Sequence, residues 1–397
     1  MRSPGSARLA RDVLAALGAV LIARLAINGG IRVVYPFLPE IARGLGVSVA
    51  VVAALIAIRS LAGIAAPLVA RAAERVGRRA LMLAGLTAAT AGALLVVAAP
   101  ALAPGGSTAL VLLAAGGFIA AGVAKPLFDV PMQGWFGDRV PYAQRARVLG
   151  ITELTWALSM LVTVPLAGLL IPRLGWQSTF ASIIVLGALG IVAVRQRFEP
   201  DRPVARTPRP LHLTGPRVRL LAVVVVCTVA SELMFVVYGS WLASDLGLTV
   251  TAIGLVAFLL VAAELAGEGG VALFADRWGV KRTIVVGLGA SAVCYAAFGI
   301  VGTNIVAALA VLTLWILTFE VTFVATVPLM SELAAESRDR LLSLMVMAVA
   351  VARAVGALTG PWLYAAGGIA FSGLSAALLA LVALALARGV EEPAGLQ

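Results

Sequence analysis

The feature that most constrains this chain is a repeated one: apolar runs of about twenty residues, separated by short gaps in which arginine accumulates. A helix rises 1.5 Å per residue, so about 20 residues cross the roughly 30 Å of hydrocarbon in a bilayer. Twelve such runs lie near 12–38, 48–70, 80–101, 108–137, 147–171, 177–195, 219–244, 251–275, 282–301, 304–331, 341–366 and 370–388. Strands of alternating polarity are absent, which argues against a membrane barrel. Only 12% of residues are charged and mean hydropathy is +1.05, against about 25% charged in a soluble domain. A soluble fold of 397 residues could not hide that much apolar surface. The predicted class is an all-α integral membrane protein in contact with the lipid bilayer.

The net charge of +11 belongs to topology rather than to nucleic acid, because the basic residues sit in the gaps and form no soluble basic face. Lys/Arg bias orients such a chain. Twenty-three of the 30 Lys/Arg fall at the N-terminus, in the gaps near 71–79, 138–147, 195–219, 276–282 and 332–340, and at Arg388. The opposite side keeps Arg43 and Arg173. Both termini are expected in the cytoplasm, with the chain multi-pass in a bacterial-type inner (plasma) membrane. The basic N-terminal flank resembles a signal peptide, but the run behind it is too long, so it is read as a retained first helix. Cys227 and Cys294 lie inside apolar runs and His212 is the single histidine. No disulfide framework, metal site or cofactor is expected.

The gap from Arg195 to Arg219 carries five prolines and seven arginines and reads as a cytoplasmic linker near anionic headgroups. Six runs precede it and six follow. The expected organisation is an N-terminal six-helix bundle over 1–194, a linker over 195–219, a second bundle over 220–388 and a tail over 389–397. The halves echo each other. Glu74-Arg75-Val76-Gly77-Arg78-Arg79 follows the second run of the first half, and Asp276-Arg277-Trp278-Gly279-Val280-Lys281-Arg282 follows the second run of the other. Ser60–Leu68 resembles Glu264–Leu273, and Phe136–Arg147 resembles Met330–Arg340. This reads as an internal duplication related along the membrane normal.

Acid-Arg-x-Gly-x-Arg/Lys between helices 2 and 3, repeated between helices 8 and 9, resembles the signature loop of the major facilitator superfamily. The likeness covers nearly the whole chain. Ala70 and Ala272 stand where the family pattern has glycine, and Glu74 where it usually has aspartate. The resemblance implies two six-helix bundles related by a pseudo-two-fold axis, alternating access by a rocking motion, and no enzyme activity. It also implies a gating loop made of Glu74, Arg75, Gly77, Arg78, Arg79, Asp276, Arg277, Gly279, Lys281 and Arg282. A topogenic basic loop is the simpler alternative for either copy alone. Drug-exporting members carry Gly-Pro in helix 5. Here only Val164-Pro165 stands there, and the fuller Gly356-x-x-x-Gly360-Pro361 is in run 11, where small residues permit close helix packing.

Eleven ionisable residues fall inside the runs: Arg24, Arg32, Arg59, Lys125, Asp129, Glu153, Glu232, Glu264, Glu268, Glu320 and Arg353. Facing lipid, each would cost roughly 2.5–3.5 kcal/mol, about 30 kcal/mol together, against folding stabilities of about 5–15 kcal/mol. They must face the bundle interior or pair. All lie on the eight runs that the resemblance places at or beside a central cavity. Lys125 and Asp129, four apart, suit a paired face. Glu264 and Glu268, also four apart, are like-charged, which favours holding a proton; pairing of Glu264 with Arg353 or a first-half arginine is the alternative. Glu232, Glu264, Glu268 and Glu320 are the candidates for proton coupling or cation contact. Arg24, Arg59, Lys125, Asp129, Glu153 and Arg353 are the candidates for substrate or inter-bundle contacts. With Arg24 and Arg59, Arg32 is a candidate to bind an anionic group or to bridge to the acidic half; snorkelling near the outer end is its alternative. Of the aromatic residues near these charges, Tyr35 and Trp241 are read as interface anchors.

Gly287–Ala292 imitates a dinucleotide loop but sits within run 9, and no phosphate-binding Gly-x-x-x-x-Gly-Lys occurs. The expectation is a monomeric, ATP-independent secondary transporter, exporting small lipophilic cations in exchange for protons. A carrier of an anionic or zwitterionic metabolite or lipid is the first alternative. A non-transporting sensor or scaffold on the same fold is the second.

Overall fold

The computed structural model describes residues 11–140, 142–200, 212–333 and 338–391, and no strand occurs among them. Among the described residues, eleven helices are long and apolar enough to cross a membrane. The last, Arg338–Arg388, contains two spans, because Gly367 and Gly368 leave helical geometry within it. Gly368 has φ +64°, a conformation open to glycine and costly for other residues. Twelve spans result: α1 Arg11–Arg32, α2 Val49–Val69, α3 Arg78–Leu102, α4 Thr108–Arg139, α5 Gly150–Leu174, α6 Gln177–Arg197, α7 Gly215–Asp245, α8 Val250–Ala275, α9 Val280–Ala297, α10 Ile305–Leu333, and α11 and α12 over 338–366 and 369–388.

Local chemistry sets the ends. Ser48, Ser107 and Thr249 accept a hydrogen bond from the backbone three residues on, capping α2, α4 and α8. The first span stops at Arg32, not near residue 38 as its apolar run predicts. Pro36 lacks an N–H and disfavours helical geometry at Tyr35, so residues 33–37 form turns before a short helix, Leu38–Leu45. The seventh span begins at Gly215, earlier than expected, with a proline in its first turn. Gly77 and Gly279, the glycines of the repeated motif, have φ +90° and +86°, and each joins two helices with almost no loop.

The second span of each half packs on the fifth of the other, α2 on α11 and α8 on α5, as a pseudo-two-fold axis requires. α3, α6, α9 and α12 make their main contacts within their own halves. The cores reveal how the halves sit. At the arginine-poor end, one continuous apolar core runs from Val33 and Phe37 through Val164 and Trp241 to Ala380, joining both halves. At the arginine-rich end there are two separate cores, one around Phe128 and Phe136, the other around Leu220 and Leu329. The bundles are therefore closed at one end and parted at the other.

Candidate functional site

Two charged groups of side chains lie along the seam. The first is in the N-terminal half, toward the arginine-rich end. Arg24 of α1 donates to the Thr152 carbonyl at 2.7 Å and to Glu153 at 3.1 Å, and its Nε lies 3.4 Å from Asp129. Lys125 lies 2.7 Å from Asp129, one turn away on α4, and donates to Asn28 Oδ1 at 3.1 Å. Two cations thus share two carboxylates. Arg24 is buried and the Glu153 side chain is 57% exposed, so the group reaches from the core to the parted end.

The second group forms a pocket between the halves, about 440 Å³ with its open mouth included. Arg32 of α1 pairs with Glu264 of α8 across the seam. Arg32 also reaches Met160 Sδ at 2.8 Å, and its guanidinium lies 4.6 Å from the centre of the Trp156 ring. Lys125 approaches the same ring at 5.1 Å, so Trp156 joins the two groups. Tyr35 donates to Glu232 at 2.7 Å, again across the seam, while Arg353 lies 3.9 Å from Glu232. Arg59 is buried, donates to the Ile31 carbonyl at 3.1 Å and lies over the rings of Tyr35 and Phe118. Phe235 sits among Tyr35, Tyr238, Trp315 and Phe319, with ring centres 4.7–6.5 Å apart.

Glu320 lines this pocket on α10, is 7% exposed, and has no hydrogen-bond or ion-pair partner among the described residues. The other buried charged side chains, Arg24, Arg32, Arg59, Glu232 and Glu264, all reach a polar partner. Leaving a carboxylate without one is costly in an apolar setting, unless a proton or a cation supplies the balance. Gly267 is what lets α8 approach there: a Cβ on it would sit 2.8 Å from the Glu320 Cβ. Glu268, one turn from Glu264, is partly exposed at the parted end.

Several expectations change. Arg32 does not snorkel: it is buried because a carboxylate, a sulfur and an aromatic face receive it inside the seam. Of the two readings of Glu264, the alternative is the one seen: it pairs with a first-half arginine, Arg32, while Arg353 lies by Glu232. Tyr35 is no interface anchor, since its hydroxyl ends on Glu232. Nor is Trp241, which is buried against Phe298. Asn28, Trp156 and Met160 escaped sequence reasoning. Trp156 lies three residues after Glu153, on the same face of one helix, and that spacing was the available signal.

In the repeated motif, Arg78 pairs with Asp138 at the end of α4 at 2.7 Å, and Arg79 donates to the Arg195 carbonyl at 2.8 Å. Both contacts stay within the first half. Arg75, Arg277 and Arg282 are exposed, and Lys281 is partly buried at the start of α9. The side chains of Glu74 and Asp276 lie outside the described residues, as do residues 1–10, 201–211, 334–337 and 392–397, which include most of the expected tail and part of the expected linker.

The chain matches the family model of the Major Facilitator Superfamily twice, over residues 20–229 and 220–396. It is 30% identical over 149 residues to the uncharacterized MFS-type transporter YwfA of Bacillus subtilis (strain 168), a match covering 37% of this chain and 34% of that relative's length. Among solved structures it resembles a D-xylose-proton symporter, with TM-score 0.76, 16% identity, and 96% and 99% of the two chains covered. It also resembles a bacterial homolog of the human lysosomal transporter Spinster in an inward-facing, unoccupied conformation, with TM-score 0.73, 13% identity, and 96% and 97% covered. At these identities the two likenesses establish the fold.

Proposed function

The chain belongs to the major facilitator superfamily, and from that membership and the pocket's chemistry we propose that it exports small lipophilic cations in exchange for protons. The family's proteins are transporters and not enzymes, and this multi-pass membrane chain is one of them. The observation that carries the finer reading is Glu320: a buried carboxyl without a partner, on a pocket wall shared with Phe235, Phe319 and Tyr238. A carboxyl and aromatic faces together suit an organic cation, which rings attract through their quadrupoles. The same carboxyl can hold a proton when no cation is present, so the two ligands exclude each other. Exchange then follows if the pocket faces each side in turn, as two bundles rocking about a midplane site allow. Proton coupling is found on this fold in the D-xylose-proton symporter, whose cargo is a sugar. Export is taken from a likeness to drug-exporting members that is partial, since Val164 stands where their helix 5 motif has glycine before Pro165.

A strain sensitive to lipophilic cations tests the reading. Expression of the chain is expected to raise the growth-inhibiting concentration of ethidium and of tetraphenylphosphonium several-fold, and Glu320→Gln to abolish the gain. Equal protection by Glu320→Gln would remove the basis for this assignment. An anionic or zwitterionic cargo is the second reading, supported by Arg59 and Arg353, two cations close to the single carboxylate Glu232. It predicts no protection by either protein.

A further inference from the structure

We propose that the Arg32 guanidinium is a tethered occupant of the cation subsite, and that an incoming substrate displaces it from Glu264 onto Glu320. The inference rests on the organic-cation reading above and changes one part of it: the cation that replaces the Glu320 proton is Arg32, while the substrate sits on Glu264. What surrounds Arg32 is a set of groups suited to such a ligand: the Glu264 carboxylate, the Met160 thioether 2.8 Å away and the Trp156 face 4.6 Å away. Sulfur and aromatic faces are soft, adaptable contacts that prefer a weakly hydrated cation. A guanidinium is the side chain that most resembles one.

The tether is incompletely satisfied. Arg32 Nη1 and Glu264 Oε2 are both buried without a hydrogen-bond partner. A buried pair with open valences holds less firmly than one whose remaining donors and acceptors are filled. Arg32 is also the last residue of α1, just before the turns at residues 33–37. Its side chain is therefore anchored at a helix end and not mid-helix. Glu320 lines the same pocket and is the unpaired carboxyl there.

The charges balance. Before binding, Arg32 neutralises Glu264 and Glu320 carries a proton. After binding, the substrate cation neutralises Glu264, Arg32 neutralises Glu320, and the Glu320 proton leaves to water at the parted end. One monovalent cation enters the site for each proton released, and the net charge of the pocket does not change. The ionisable groups facing Glu320 are Arg32 and Tyr35 from α1 and its following turn, Tyr238 from α7, Glu264 and Glu268 from α8, and Arg353 from α11. Of these, Arg32 is the cation that the substrate itself sets free.

The test is calorimetric titration of the purified full-length protein with tetraphenylphosphonium, in two buffers of different ionisation enthalpy, so that proton release is counted with affinity. Wild type is expected to bind and to release about one proton. Arg32→Ala is expected to bind about tenfold more tightly, because the competitor is gone, and to release its proton from Glu264, which is buried and loses its partner in this variant. Trp156→Ala is expected to bind about tenfold more weakly. Arg32→Ala with wild-type affinity would overturn the tether while leaving the cation reading intact. No binding by wild type would overturn the cation reading itself. If Arg32→Ala melts far below wild type, Arg32→Lys serves instead: the single ammonium lacks the planar fork, so tighter binding than wild type is again expected, and unchanged binding counts against the tether.

Discussion

Asp129 shows how this protein holds charge away from water. Its carboxylate takes Lys125 on Oδ2 at 2.7 Å and Arg24 on Oδ1 at 3.4 Å, so the two cations share one carboxylate through its two oxygens. Removing one partner from a buried pair costs about 3–5 kcal/mol, whereas an exposed pair contributes about 0–1 kcal/mol. Asp129→Ala should therefore lower the melting temperature in detergent far more than Glu153→Ala, whose carboxylate is mostly exposed. Equal shifts would mean that Glu153, not Asp129, neutralises Arg24. The sequence disclosed which residues are ionisable and that lipid could not host them. Their pairing was hidden, because Arg32 and Glu264 are 232 positions apart and meet only when two halves assemble. The same holds for the Tyr35 hydroxyl, whose anchor reading failed because its partner, Glu232, is on the other half.

Glycine positions the helices around the pocket. Gly356 of α11 faces the Glu232 side chain, with 2.6 Å left for an added Cβ, and Gly267 of α8 faces Glu320 at 2.8 Å. A methyl there must move the neighbour. Gly267→Ala should therefore weaken tetraphenylphosphonium binding severalfold while melting within a few degrees of wild type, because it displaces the carboxyl without emptying the core. Unchanged affinity would detach Glu320 from the site. Gly168 of α5 and Gly254 of α8 cross with so little room that a Cβ on either meets the other's backbone at about 3 Å, and Thr251 donates to the Gly168 carbonyl at 3.0 Å. This crossing closes the arginine-poor end. Gly254→Val should hold that end apart, seen as a longer distance between spin labels at Leu174 and Val306, both exposed there, in a cysteine-free background. An unchanged distance would place the closure elsewhere. Such crossings are invisible in sequence, where Gly168 and Gly254 look like two of 41 glycines. Gly77 and Gly279 were legible, because their motif is repeated.

At the scale of the molecule, one apolar core joins the halves at the arginine-poor end, and two cores stand apart at the other. Rocking would split the first and bring the other two together. Labels at Leu68 and Val346, exposed on α2 and α11 near the arginine-rich end, should therefore approach when Gly254→Val opens the opposite end. If they stay fixed, the halves do not rock as rigid bodies. The twelve spans, the duplication and the fold class were readable from hydropathy and the repeated loop, because the bilayer imposes them on every segment locally. Which end is closed depends on contacts between halves, and no local pattern encodes it. The central claim is that a cation and a proton exchange through one pocket built around Glu320. Purified protein in liposomes with an imposed pH gradient tests it most directly, with ethidium movement and internal pH followed together. The account predicts cation movement against the proton gradient, with matching proton counterflow, both lost in Glu320→Gln. Cation movement without proton counterflow, or exchange undiminished in Glu320→Gln, would contradict it.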